Sequence, residues 1–169
     1  MERGLILKKG TIVDSTIISA PSSTKNKEKK RDPDAHQVKK GNTWHFGYKA
    51  HIGVDRDSGL VHTVEATAAN VHDATETSKL LTGDEDEVYG DSGYLGAEKR
   101  GDAIIRNKAG RKIKYRINRR PSQVKKLSKS GQYAAKKAEH AKSSVRAKVE
   151  HAFGVVKKQL RFRKTRYRG

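Results

Sequence analysis

The chain has no cysteine, one tryptophan, one methionine and three prolines in 169 residues, and only 6% of it is aromatic. Without cysteine there is no disulfide framework, no thiolate metal ligand and no cysteine nucleophile, so any metal must sit on oxygen or imidazole. No run approaches the ~18 consecutive apolar residues of a membrane span. The N-terminal MERGLILKKG also lacks the apolar stretch of a secretory signal. A soluble, cytoplasmic protein is expected. Only 33% of residues are hydrophobic, enough for one domain with a small core.

Negative charge is scarce in one half only. Residues 1–98 carry 13 Lys and Arg against 16 Asp and Glu, a net of 13 − 16 = −3, whereas residues 99–169 carry 25 against 3, a net of 25 − 3 = +22. A solvated charge run explains any single Lys pair, but a half-chain this cationic repels itself unless a polyanion is near, which points to nucleic acid. No stretch joins the charge to a broad apolar face, so a membrane surface is the poorer partner.

The acidic half reads as strands. Residues 11–20 (TIVDSTIISA) are rich in β-branched side chains and stop at Pro21, which predicts a buried strand. Residues 22–43 are polar and basic without periodicity and read as a mobile surface loop. Residues 44–54 and 60–67, joined through Asp57-Ser58-Gly59, read as a hairpin. Asp73 with Glu76 three residues later fits a capping box, predicting a helix to Leu81. VYGDSGY at 88–94 reads as a short strand ending at Asp91. Residues 103–142 form a basic region with at most one short strand and little helical signal. From Ser143, the apolar residues Val145, Val149, Ala152, Phe153, Val156 and Leu160 recur at helical spacing over roughly 17 residues. On that helix Arg146, Glu150 and Lys157 lie within roughly 40° of one another.

Three carboxylates stand out. Asp14 interrupts a β-branched strand, where it is disfavoured by propensity and costly to desolvate without a partner or a metal. Asp91 is read either as a turn residue or as a ligand. Glu150 is read either as the i, i+4 partner of Arg146 or as a third ligand. Together, beside a polycationic surface, they fit an oxygen-only site for Mg²⁺ or Mn²⁺. His51, His62 and His72 do not share a metal-binding spacing. Trp44 is read as a core residue in preference to a base-stacking one, and Phe153 and Phe162 as core.

The strings GTIVDSTIISAPSSTKN, FGYKAHIGVD, GLVHTVEATAANVHD, VYGDSGY and VRAKVEHAFGVVKKQ occur in this order. They resemble the catalytic domain of DDE transposases of bacterial insertion sequences, in the insertion-sequence four and five group. The resemblance covers nearly the whole chain and is thinnest between Ala103 and Ser143. It implies an α/β, ribonuclease H-like fold with a mixed five-stranded sheet flanked by helices and a basic, mostly helical C-terminal part. The acidic positions of the family fall on Asp14, Asp91 and Glu150. The pattern R-x3-E-x6-K falls on Arg146, Glu150 and Lys157, and Ser143 stands where this group often has tyrosine.

By the same resemblance the function is metal-dependent DNA cleavage and strand transfer. Two Mg²⁺ or Mn²⁺ ions, about 3.5 to 4 Å apart, would be held by Asp14, Asp91 and Glu150. DNA contacts are expected from Lys49, Arg146, Lys157, Lys158, Arg161, Arg163, Lys164 and Arg166. Partners would be transposon ends, target DNA and further copies of the chain. The first strand begins within ten residues of Met1 and the chain stops at Gly169, so a truncated transposase is expected, with a DNA-binding remnant lacking catalysis as the alternative.

Overall fold

The structure is a computed structural model that describes residues 5–7 and 9–166. The β-branched run forms strand β1 (Gly10–Ser19). Alternation sends Ile12 and Val13 to opposite faces of the sheet, and each is fully buried in a different core. The hairpin follows as β3 (Thr43–Asp55) and β4 (Val61–Ala68), preceded by β2 (His36–Lys40). Next come β5 (Glu87–Gly90) and β6 (Lys114–Ile117), then a short helix α1 (Pro121–Lys125) and a long helix α2 (Lys129–Gly154), which continues as a π-helical turn, Val155–Gln159.

The strands form one mixed sheet. β1 is central, antiparallel to β3 on one side and parallel to β5 on the other, with β6 parallel beyond β5. β2 and β4 share the outer edge of β3, β2 against residues 43–47 and β4 against residues 48–54. The sheet is thus five strands wide but has six strands. This is the mixed α/β sheet with flanking helices of the expected ribonuclease H-like fold, with β2 as the addition.

One face of the sheet packs Val13, Leu80, Leu81, Val88, Tyr94 and Ile113. The other packs Ile12, Ile52 and Val54 against Val149 and Phe153 of α2. Burying each such side chain contributes roughly 1.5–3 kcal/mol, which fixes α2 across β1. Gly47, where β1, β2 and β3 meet, has φ +152°, and an added Cβ would lie 2.2 Å from the Ile18 carbonyl oxygen.

Several expectations need correction. The segment 22–43 ends in a strand, because Lys39 and Lys40 pair with Trp44 and Thr43 across a tight turn. The helix expected at residues 73–81 is two 3-10 turns, Asp73–Thr75 and Ser78–Leu80, and the N-cap is His72. α2 begins at Lys129, not near Ser143, capped by the Ser128 hydroxyl on the Gly131 amide. Its first half is held by Ala and Lys propensity without an apolar stripe. The π turn adds a residue to the winding and shifts the helical phase, leaving Leu160 70% exposed. Phe162 is 49% exposed and Trp44 63% exposed, so neither is core, whereas Phe153 is buried. Among the described residues no helix is long and apolar enough to cross a membrane.

Candidate active site

Asp14 sits mid-strand on β1, paired with Ile52 of β3, and its side chain is 14% exposed. Oδ1 accepts the Ser15 amide at 2.8 Å and Oδ2 accepts Arg146 Nη2 at 3.2 Å. Burial pushes its pKa above the ordinary carboxylate value and the charge of Asp91 adds to this, while the Ser15 amide and Arg146 oppose it. Asp91 follows β5 as the N-cap of the 3-10 turn Ser92–Tyr94, its Oδ1 accepting the Gly93 amide at 2.7 Å. A Cβ on Gly93 would lie 2.9 Å from Asp91 Oδ1 and 3.4 Å from Asp73 Oδ2. Glycine there is what allows the two carboxylates to approach the turn.

α2 supplies the third side. Arg146 reaches Asp14 and also donates through Nη1 to Asn118 Oδ1 at 3.3 Å. Asn118 in turn is held at the end of β6: its amide donates to the Gly90 carbonyl, and its Nδ2 donates to Glu139 Oε2 at 2.8 Å. Glu139 also pairs with Lys142 at 2.7 Å. These contacts tie α2 to the ends of β5 and β6. One turn beyond Arg146, Glu150 is exposed. Of the two readings of Glu150, the i, i+4 pair with Arg146 is not formed; the guanidinium is turned to Asp14 and Asn118.

Asp14, Asp91, Arg146 and Glu150 border a single cleft of about 780 Å³, with Lys40, His45, Phe153, Lys157, Lys158 and Arg163 on its other walls. Lys157 is partly desolvated; burial, with the charges of Lys40 and Arg163, pulls its pKa down. Arg163 is brought there because the tail folds back on β1: Ser19 donates its amide to the Arg163 carbonyl and accepts the Thr165 amide at 2.8 Å. Arg161, Lys164 and Arg166 are exposed and do not line the cleft. A second hollow, of about 470 Å³, lies near the start of β5, but its carboxylates are already paired, Glu87 with Arg56 and Asp86 with Arg111, each at 2.9 Å.

Lys49 is elsewhere. It is buried, its ammonium 3.0 Å from Asp73 Oδ1 and 2.7 Å from the Val71 carbonyl oxygen, and it does not line the cleft. Asp73, read from the sequence as a cap, is instead the center of a polar cluster beneath the cleft. Its Oδ1 accepts the Ser15 hydroxyl at 2.9 Å and lies 3.7 Å from His51 Nδ1. Tyr94, fully buried, stands among Asp14, Asp73 and Asp91, and burial drives its phenol well above the ordinary value. The spacing of Asp73 from Glu76 suggested only local capping; its long-range partners have no signature at that spacing.

The cleft carboxylates are an all-oxygen donor set, which suits Mg²⁺ or Mn²⁺. The tight convergence expected from the sequence is not formed. Among the described residues, no three His, Asp or Glu side chains stand close enough together to hold an ion. The charge of Asp91 acts on Asp14, and both, with Glu150 on α2, border the same cleft.

No solved structure matches the chain. A family model for the transposase DDE domain matches residues 6–169, a span that takes in every strand of the sheet, the cleft and the whole of α2. The chain belongs to the transposase DDE domain family.

Proposed function

We propose that this chain is the catalytic core of a DNA transposase, cleaving a DNA strand and transferring its end to a second DNA, with Asp14, Asp91 and Glu150 holding the divalent cations. The main support is the cleft itself: an aspartate within β1, an aspartate just past the end of β5 and a helix-borne glutamate share one opening with Arg146, Lys157, Lys158 and Arg163, in a chain of the DDE family. When bound, Mg²⁺ or Mn²⁺ supplies the concentrated positive charge needed to ready water or a 3′-hydroxyl and to steady the leaving oxygen.

The residues of the chain do the rest. Displacement at phosphorus is in-line: the attacking oxygen forms its bond as the bond to the leaving oxygen breaks, so the scissile phosphate must be held still between the two. Arg146 fixes the orientation of Asp14 from α2. Lys157, poorly hydrated and set between other cations, gains most by meeting a phosphate, which restores its charge balance. Lys158 and Arg163 extend that contact along the strand. DNA is the polyanion that the +22 half of the chain calls for.

The test is nicking of supercoiled plasmid with Mn²⁺ or Mg²⁺. The wild-type chain nicks and Asp91→Asn does not. Nicking that survives the substitution unchanged overturns the assignment of catalysis to this cleft, and DNA binding with no nicking by the wild type supports instead a remnant that only binds DNA. That second reading draws on the finding that, among the described residues, no three carboxylates close into one cluster.

A further inference from the structure

The single tryptophan of the chain, Trp44, is 63% exposed on the hairpin formed by β2 and β3. An indole offers roughly 150–250 Å² of surface for burial, and here most of it faces water. Trp44 pairs across the hairpin with Lys39, whose ammonium lies 6.0 Å from the ring centroid. Two residues along the strand, Arg31 lies 5.5 Å over the ring of Phe46. This side of the hairpin therefore carries aromatic rings, each with a cation. Lys40 and His45, which flank these positions, line the catalytic cleft, and alternation along β3 directs His45 and Trp44 to opposite sides.

Lysines on an edge strand serve to discourage strand addition, which accounts for Lys39 and Lys40 but not for an exposed indole. A β-hairpin with one side bordering a DNA cleft and the other presenting an open aromatic ring has the form of a wedge. Bases inside a duplex have their π faces covered by their neighbours, so such a ring finds a stacking partner only where a base is unpaired.

We propose that the β2–β3 hairpin is a strand-separating wedge for DNA. One strand lies in the cleft against Lys40 and His45, and an unpaired base of the opposing strand stacks on Trp44, with Lys39 near its phosphate. This rests on the reading of the cleft as a DNA site and adds the structure of the DNA it accepts: a frayed or forked end in preference to a closed duplex.

Because Trp44 is the sole tryptophan, its fluorescence reports this contact alone. Labelled DNA anisotropy measures occupancy independently. With a forked duplex and a blunt duplex of equal length, compared at equal occupancy, the fork quenches Trp44 emission at least roughly twofold more strongly. Trp44→Ala weakens fork binding about tenfold, within the range for loss of one stacked base, and narrows the preference for fork over blunt duplex. An unchanged melting temperature shows that the variant is folded. Equal quenching by both DNAs, no quenching by a saturating fork, or equal loss of affinity for both DNAs in the variant overturns the wedge while leaving the cleft as a DNA site. Absence of any anisotropy change overturns the wedge together with the DNA reading on which it rests.

Discussion

Arg146 Nη2 stands 3.2 Å from Asp14 Oδ2, joining the basic helix to the central strand across 132 positions of sequence. The two side chains are 19% and 14% exposed, so the pair is largely withdrawn from solvent. Each partner removed alone leaves the other as an uncompensated, poorly hydrated charge. Arg146→Gln is expected to cost about 1–2 kcal/mol, or a fall of about 2–8 °C in melting temperature for a chain of this size. In an Asp14→Asn background the same substitution should cost less. A double-mutant cycle on chemical denaturation measures the coupling; strictly additive costs would mean that the contact contributes nothing.

Lys49 and Lys157 should part company in salt titrations. Lys157 lines the cleft and Lys49 is tied to Asp73. Lys157→Met is expected to reduce the steepness of log affinity against log salt by about 0.9, one phosphate contact. Lys49→Met leaves that slope unchanged. It lowers stability instead, by about 1–3 kcal/mol, since Asp73 loses its nearest cation. DNA binding by filter retention or anisotropy across salt concentrations decides, and a reduced slope for Lys49→Met would return it to the DNA surface.

Gly93→Ala is expected to act on the site more than on the fold. The new methyl carbon would meet Asp91 Oδ1 at 2.9 Å and force that carboxylate from its place as cap. Plasmid nicking should fall about tenfold or more, in keeping with the sensitivity of catalysis to displacements of this order, while the urea midpoint moves little. Wild-type nicking by this variant would show that the position of Asp91 does not matter.

Stability should depend on pH through two histidines. Burial holds His51 below its ordinary pKa, against the pull of Asp73, and burial does the same to His62, which is hydrogen-bonded to the hydroxyls of Thr11 and Thr63. The unfolded chain takes up these protons near pH ~6.5, the folded chain only at lower pH. The resulting stability is present in full above about pH 6.5 and is lost as pH falls toward the folded values, by at most about 1.4 kcal/mol per pH unit for each histidine. Urea midpoints should drop between pH 7.5 and 5.5, and drop less in His62→Gln. A flat profile over that range would contradict the neutral assignment.

Much of this molecule follows from pattern. The β-branched run with Asp14 inside it, the hairpin around Asp57-Ser58-Gly59, the short strand before Asp91 and the stripe containing Val149 and Phe153 are local signals. They appear as β1, β3 with β4, β5 and α2. Residues with no local signature were misplaced. The strand β2 exists only through its pairing with β3. The first half of α2 has no apolar stripe to announce it. Asp73 satisfied a capping rule but spends its carboxylate on Ser15 and Lys49, 58 residues away in the first case.

By itself, the sequence determined the charge division, the central strand, the family and the three carboxylates worth watching, because propensity, periodicity and composition act over a few residues at a time. Only the tertiary structure decided that Arg146 turns to Asp14 and not to Glu150, that Lys49 is buried, that the basic tail returns to Ser19, and that Trp44 stands in water. Those outcomes depend on which elements pack side by side, and long-range packing and desolvation leave no periodic mark on the chain.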